Sequence, residues 1–227
     1  MSMHQPISGD LFAGAEPEPP VEVLGPGSRI LRGFALSDAA VLLQSVEDIA
    51  RQAPFRQLTT PGGRRMSVST TSCGRVGWYS DRRGYRYTPT DPETGRPWPA
   101  MPEAFTALAR EAAAEAGFPG YRPDACLVNR YVPGTKMSLH QDRDEEDRVA
   151  PIVSVSLGIP AVFQFGGFAR ADRPARLPLQ HGDVVVWGGP DRMRYHGVLT
   201  VRDNAHPLTG AARINLTFRA VFAASRD

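Results

Sequence analysis

The chain is almost without lysine. Lys136 stands alone, so nearly all of the 26 basic residues are arginine, set against 24 acidic residues for a net charge of +2. Arginine suits planar pairing to carboxylate and phosphate, although a GC-rich genome gives the same bias with no functional meaning. Cysteine is as scarce, with Cys73 and Cys126 the only two. No disulfide framework can therefore hold the fold, and free thiols fit the cytosol. No apolar run approaches membrane-spanning length, and the N-terminus lacks the basic-then-apolar layout of a signal peptide. These absences predict a soluble, cytoplasmic protein with no membrane partner. A length of 227 residues is enough for one domain with a proper core and too little for two ordinary ones.

Residues 1–27 are rich in Pro and Gly, with Glu16 to Pro20 at the centre, and predict an extended or disordered lead-in. A single domain over 28–227 follows. Ser37 and Asp38 can cap a helix over 39–52 that carries Val41, Leu42, Val46 and Ile49 on one face. A second helix is expected from Pro102, a residue favoured in the first turn, to a stop at Gly117. Over about 124–223 the chain changes character. Short strands are predicted at 127–131, 152–157, 162–165, 184–187 and 214–222, separated by turn residues. The expected fold class is mainly β with flanking helices, a jelly-roll barrel closed by many short strands.

Within that region Ser138-Leu139-His140-Gln141-Asp142 holds the strongest chemical signal. On a β-strand, side chains two apart point to the same side, so the imidazole of His140 and the carboxylate of Asp142 converge. His196, in Tyr195-His196-Gly197, offers a third donor at the start of an apolar run. Two His and one carboxylate form the facial set that holds non-haem Fe(II) and leaves positions open for a co-substrate and O2. Alone, a His-x-Asp pair is weak. A second copy, His181-Gly182-Asp183, runs into Val184 to Trp187 and reads as a turn entering a buried strand, hence structural. What lifts the first copy above chance is the C-terminal strand. There Ile214, Leu216 and Phe218 alternate with Arg213, Asn215, Thr217 and Arg219. Two arginines on one polar face either meet solvent or enclose an anion that pairs with them in forked geometry.

Between the helices, residues 54–100 are the least regular part of the chain. Arg64, Arg65, Arg75, Trp78, Tyr79, Arg82, Arg83, Tyr85, Arg86 and Tyr87 interleave cations with aromatics. That composition suits phosphates and unpaired bases, and equally a surface hairpin of good β-formers.

Taken together, His140-x-Asp142, His196 and the Arg213-x-Asn215-x-x-x-Arg219 ending resemble the AlkB family of Fe(II)- and 2-oxoglutarate-dependent nucleic-acid dioxygenases. Pro54 to Gln57, Thr60 to Gly63, Asn129 to Tyr131 and Val184 to Gly189 extend the similarity over nearly the whole chain. The resemblance implies a double-stranded β-helix core over about 124–223, and an N-terminal nucleotide-recognition lid over about 54–100. Fe(II), 2-oxoglutarate and O2 are the implied cofactors, with His140, Asp142 and His196 as metal ligands. Arg213 would pair with the distal carboxylate of 2-oxoglutarate and Arg219 would help hold its metal-bound end. Asn129, Arg130, Tyr131 and Asn215 complete the implied co-substrate set. On the substrate side, Trp78 would stack on the target base and Tyr85, Arg86 and Tyr87 would lie beside its backbone. Asp144 would contact the base, and Arg170 joins the same set. Arg64, where an aromatic is expected, and Thr70, in place of a larger apolar residue, depart from the family pattern and bear on substrate preference.

The implied reaction is oxidative demethylation of 1-methyladenine and 3-methylcytosine in DNA, releasing formaldehyde, succinate and CO2. A methylated base must leave the stack to reach such a site, and damage on its pairing edge lowers the cost of extrusion. The expected partner is alkylated DNA, single- or double-stranded, with RNA as a further substrate, and the expected state is a monomer. Two alternatives stay open at this point: the same chemistry on RNA or protein, and a nucleic-acid-binding module without catalysis. The intact set of His140, Asp142 and His196 argues against the second.

Overall fold

Alternation at the C-terminus builds the centre of the molecule. In the computed structural model, which describes residues 20–223, the chain opens with β1 (Val21–Gly25), β2 (Ser28–Leu31), α1 (Ala39–Gln52) and β3 (Ser69–Gly74). A hairpin follows, β4 (Gly77–Asp81) and β5 (Gly84–Thr88), and then α2 (Glu103–Glu115). The remaining strands are β6 (Ala125–Tyr131), β7 (Met137–His140), β8 (Ile152–Gly158), β9 (Ala161–Phe165) and β10 (Ala175–Leu179). They continue with β11 (Val184–Trp187), β12 (His196–Val198) and β13 (Arg213–Arg219). A seven-stranded sheet runs β1-β2-β11-β8-β13-β6-β3, a four-stranded sheet runs β10-β9-β12-β7, and β4 pairs only with β5. Two facing antiparallel sheets with helices outside make the expected jelly roll.

Each face of β13 is buried, for different reasons. Ile214, Leu216 and Phe218 join Leu42, Val46 and Ile49 of α1 and Phe105 and Leu108 of α2 in the larger apolar core. Arg213, Asn215, Thr217 and Arg219 point the other way, between the sheets, and all four are buried. The reading of a half-exposed edge strand with arginines in water is thereby excluded. A second core between the sheets packs Tyr131, Ile152, Val185 and Trp187 against Phe163, Phe165 and Val198.

Several sequence expectations are corrected. Residues 1–19 of the expected lead-in lie outside the described residues, and within its remainder Val21–Gly25 is an extended strand paired antiparallel with β2. β3, inside the region expected to be a lid, is the edge strand of the seven-stranded sheet and pairs with β6. It is built of Ser69, Thr70, Thr71, Ser72, Cys73 and Gly74, so it lacks the apolar alternation that announces a strand. Thr71 Oγ1 instead ties it inward by donating to the Ala53 carbonyl at 2.6 Å. On α1 the buried residues are Ala39, Leu42, Val46 and Ile49. Val41 is 56% exposed, because a single step along a helix turns a side chain by roughly 100°. Asp38 occupies the N-cap position without a side-chain cap bond. β13 ends at Arg219 and not at Phe222, because the Asp124 carboxylate accepts from the Val221 and Phe222 amides at 2.7 and 3.2 Å and draws the chain off the ladder. Among the described residues no helix is long and apolar enough to cross a membrane.

Leu216, fully buried, and Val41, on the solvent side of α1, give the packing a direct check. Leu216→Ala should cost ~2–5 kcal/mol in urea unfolding through the cavity it leaves. Val41→Ala should stay within about 0.5 kcal/mol, as a surface substitution does. Equal losses at the two positions would contradict the assigned helix face.

Candidate metal centre

β12 pairs antiparallel with β7 so that His196 lies directly across from His140. Only a glycine can follow at Gly197, since a Cβ there would sit 2.7 Å from the Met137 carbonyl. β7 ends at His140, so Asp142 is not on the strand as expected but in the loop beyond it. What aims Asp142 is a fork: Arg219 donates through Nε and Nη2 to Asp142 Oδ2 at 2.9 and 2.8 Å. The other oxygen, Oδ1, lies 3.6 Å from His140 Nε2 and 3.8 Å from His196 Nε2. One donor atom from each of the three residues therefore falls within 4.8 Å of the others.

Both imidazoles are turned by the same device. Nδ1 of His140 is 2.9 Å from the Ser138 carbonyl, and Nδ1 of His196 is 3.1 Å from the Arg194 carbonyl. A carbonyl only accepts, so Nδ1 carries the proton and the Nε2 lone pair faces the centre. Outer partners of this kind are what orient metal ligands. Burial pushes the pKa of His196 down to about 3, reinforced by His140. For Asp142, burial favours the neutral acid, but Arg219, then His196 and His140, outweigh it and hold the carboxyl well below the usual range. At neutral pH these two donors have no proton to displace, which suits a divalent cation.

A second feature lies at the other end of the polar face. Arg213 is 1% exposed, and among the described residues only its Nη2 has a partner, Ser156 Oγ at 2.9 Å. Its Nε and Nη1 have none, and Asn129 Oδ1 is also unpartnered. The guanidinium lies 5.0 Å from the centre of the Tyr131 ring, its cross-strand neighbour on β6. Burial lowers the Arg213 pKa, and Tyr131 works against that shift. A buried cation with two free N–H donors fits the carboxylate of an anionic ligand. Metal donors and an orphaned arginine in one polar interior fit Fe(II) together with a dicarboxylate.

Other expected site residues divide sharply. Asn215 lies opposite Asn129 in the β13–β6 register, but its amide is already engaged with Ser154 Oγ and the Val155 carbonyl. Arg130 alternates away from Asn129 and Tyr131 and is exposed, so it is not brought to the site. Trp78 stacks on Tyr85 at 5.6 Å and donates through Nε1 to Asp144 Oδ2 at 2.9 Å. Asp144 itself is exposed, in a bend beyond β7. Arg86 is occupied by a fork to Asp81, at 2.9 Å for both bonds. The Tyr87 hydroxyl turns inward and donates to Glu145 Oε1 at 2.6 Å. Arg170 is exposed and lines a shallow groove with Lys136, Ser138 and Gln164. His181 and Asp183 are committed to structure: His181 Nδ1 accepts from the Gly158 amide, and Asp183 from the Gly33 and Gln180 amides and Arg32.

Glu145 and Arg192 also belong to the centre and carry no signal in the sequence. Glu145 sits in the acidic run Asp144 to Asp147, which reads as a solvated turn, yet it is 3% exposed. Arg192, in an irregular stretch, is fully buried and donates to Glu145 Oε2 and to the Asp142 carbonyl, both at 3.0 Å. Neither residue lies on a periodic element, so no pattern marks it.

His196→Ala leaves two donors, too few for a facial set. Its affinity for Mn(II) should fall by more than the ~10–100-fold that loss of an outer partner costs, with the circular dichroism spectrum unchanged. Wild-type Mn(II) affinity in that variant would remove His196 from the centre.

Comparison with known proteins places this geometry. Residues 27–219 match the model of the 2OG-Fe(II) oxygenase superfamily. Over 210 residues the chain is 57% identical to alpha-ketoglutarate-dependent dioxygenase AlkB of Escherichia coli (strain K12), covering 92% of this chain and 96% of that protein. It is 45% identical to the AlkB homolog of Caulobacter vibrioides (strain NA1000 / CB15N), over 86% of this chain and 87% of that one. The solved structure of OsALKBH1 shares the fold with a TM-score of 0.79 at 29% identity, covering 88% of this chain and 99% of that chain. With its donor set and polar interior accounted for in these terms, the chain belongs to the AlkB family within the 2OG-Fe(II) oxygenase superfamily.

Proposed function

We propose that the protein repairs DNA by oxidative demethylation of 1-methyladenine and 3-methylcytosine, as an Fe(II)- and 2-oxoglutarate-dependent dioxygenase. The observation that carries this is the convergence of His140, Asp142 and His196 in the same polar interior as a buried Arg213 whose Nε and Nη1 have no partner among the described residues. When bound, Fe(II) with 2-oxoglutarate and O2 supplies the oxidation that converts an N-methyl group to formaldehyde, with succinate and CO2 as co-products.

Each residue has a share in preparing that chemistry. His140, Asp142 and His196 hold the iron, their outer atoms locked so that only the inward ones are free. Arg213 takes the distal carboxylate of 2-oxoglutarate in a forked pair, and Asn129 and Tyr131 line the same face. Arg219 spends Nε and Nη2 on Asp142 Oδ2, so it aims the metal carboxylate while helping to hold the metal-bound end of 2-oxoglutarate. Trp187, with its ring 4.8 Å from that of His196, shields the buried side of the centre from water.

Recognition of the base falls to the β4–β5 hairpin, which serves as the lid. Trp78, backed by Tyr85, offers an aromatic platform for an extruded base. Asp144 stands beside it at the mouth. Methylation at N1 of adenine or N3 of cytosine makes a cationic base, and a nearby carboxylate in a partly desolvated pocket favours that charge. All metal donors and both arginines lie within one chain, so the centre needs no residue from a partner subunit. Free Cys73 and Cys126 support a cytoplasmic setting. RNA carrying the same lesions presents the same bases and is a second substrate.

Release of formaldehyde and succinate from a methylated oligonucleotide, dependent on both Fe(II) and 2-oxoglutarate, tests the reading directly. A purified, iron-loaded protein that releases neither would overturn it. In the same assay Arg213→Ala should raise the 2-oxoglutarate requirement by the equivalent of ~2–5 kcal/mol, the loss of a buried charge-assisted partner. An unchanged requirement would free Arg213 of that role. Asp144→Asn should lower turnover of 1-methyladenine and 3-methylcytosine more than that of neutral 1-methylguanine or 3-methylthymine. The quantity to measure is the ratio of cationic to neutral lesion turnover; the same ratio in variant and wild type would leave Asp144 no part in reading charge.

A further inference from the structure

Four charged side chains close a buried array behind the metal carboxylate. Arg219 bridges Asp142 Oδ2, at 2.8 Å from Nη2, and Glu145 Oε1, at 3.2 Å from Nε. Arg192 bridges Glu145 Oε2 and the Asp142 carbonyl, each at 3.0 Å. All four residues are less than a tenth exposed: Asp142 8%, Glu145 3%, Arg192 1% and Arg219 7%. Two carboxylates and two guanidinium groups sum to zero. Into this array the lid inserts one group, the hydroxyl of Tyr87 on β5, which donates to Glu145 Oε1 at 2.6 Å.

Without Glu145, two buried cations would act on the only remaining carboxylate of the array. Their charge would draw electron density from Asp142 and repel a divalent cation a few ångströms away, where low dielectric strengthens every such interaction. With Glu145 in place, one arginine charge is cancelled locally. Arg219 is then held by both carboxylates, its Nε 2.9 Å from Asp142 Oδ2 and 3.2 Å from Glu145 Oε1, and Asp142 Oδ1 is left for the metal.

We infer that Glu145 is a positioning residue for the metal carboxylate and that Tyr87, by fastening the lid hairpin to the same carboxylate, couples lid order to metal binding. The inference rests on the metal-binding reading given above and adds a direction to it. If the metal orders Asp142, and through Arg219 and Glu145 the Tyr87 hydroxyl, then ordering the lid must tighten the metal in return, because coupling between two sites is reciprocal. Neither residue touches the ligand it influences, so a test has to separate positioning from simple structural support.

The whole chain, with Mn(II) alone as probe and no co-substrate, provides that test. Calorimetry should show Glu145→Gln binding Mn(II) at least tenfold more weakly than wild type, within the ~10–100-fold range of an outer-partner loss. Glu145→Asp, which keeps the charge, should recover most of the affinity. In wild type, Mn(II) should slow amide hydrogen exchange across residues 77–88. Tyr87→Phe should lose that protection and, by reciprocity, bind Mn(II) more weakly. This variant removes one hydroxyl and so carries the test even if Glu145→Gln does not fold. A Glu145→Gln protein with a lower melting temperature but wild-type Mn(II) affinity would overturn the inference, leaving Glu145 purely structural. So would lid exchange in wild type that is indifferent to Mn(II). No Mn(II) binding by wild type would overturn the metal centre itself, and this inference with it.

Discussion

The fork from Arg219 to Asp142 is the contact on which the rest of the site depends. A carboxylate has two equivalent oxygens, and a buried one left to itself would take up a proton or turn toward any donor. Here Oδ2 is occupied twice by one planar guanidinium, so Oδ1 is the only atom of Asp142 left to meet His140 Nε2 and His196 Nε2. Arginine does this where lysine could not, because its fork is rigid and its charge is permanent.

Arg219 is the last residue of β13, so strand register sets the metal geometry. Side chains alternate with a period of two, and a slip of one residue would turn Arg213, Asn215 and Arg219 into the helix-backed core and put Ile214 and Leu216 between the sheets. The apolar face prevents that slip. Leu216 and Phe218 are fully buried under α1 and α2, and Phe218 meets Phe105 edge-on at 5.6 Å. The polar interior is costly to form, with Arg213 leaving two N–H groups unpartnered, and only a well-packed layer on the other side of the same strand offsets it. Folding and ligand capture are thus tied together: an anion that pairs with Arg213 only in the folded protein also stabilises the fold.

How far the sequence disclosed this follows from which features are periodic. β13 was legible because its alternation is unbroken, and the His140, Asp142 and His196 set because its chemistry is specific and the C-terminal strand supports it. The jelly roll follows from many short strands, α1 from its apolar spacing although Asp38 makes no side-chain cap bond, and α2 from Pro102 at its start and Gly117 just past its end. β3 was not legible, since Ser and Thr bury against backbone carbonyls without an apolar pattern. Val41 was misassigned because apolar residues in adjacent helical positions cannot all face the core. Arg130 was carried along by its neighbours Asn129 and Tyr131, although strand alternation alone would have turned it outward. Glu145 and Arg192 were invisible for a deeper reason: a buried ion array is defined by partners far apart in the chain, and each member looks like a surface residue in its own neighbourhood. Nothing local distinguishes a carboxylate paired with two buried arginines from one in water.

The loop after β7 shows how few residues such a site needs once partners are fixed. A two-stranded hairpin is marginal by itself, so β4–β5 depends on its ties to the body. Two of those ties end on consecutive residues of this loop, Trp78 on Asp144 and Tyr87 on Glu145. Asp142 and Asp144 then stand in the same relation to their surroundings. Each has Oδ2 bound by a protein donor, Arg219 in one case and Trp78 in the other, and among the described residues neither Oδ1 accepts a hydrogen bond. The deeper carboxylate, buried and held by a cation, is suited to a metal. The shallower one, exposed and held by a neutral indole, keeps more of its negative charge for whatever arrives at the mouth. On the function proposed above, a cationic base stacked on Trp78 would meet Asp144 Oδ1 without displacing the bond that orients the indole. On that proposal, two carboxylates two residues apart, each with one oxygen spent on orientation and one left free, would serve an ion and a base from one short loop.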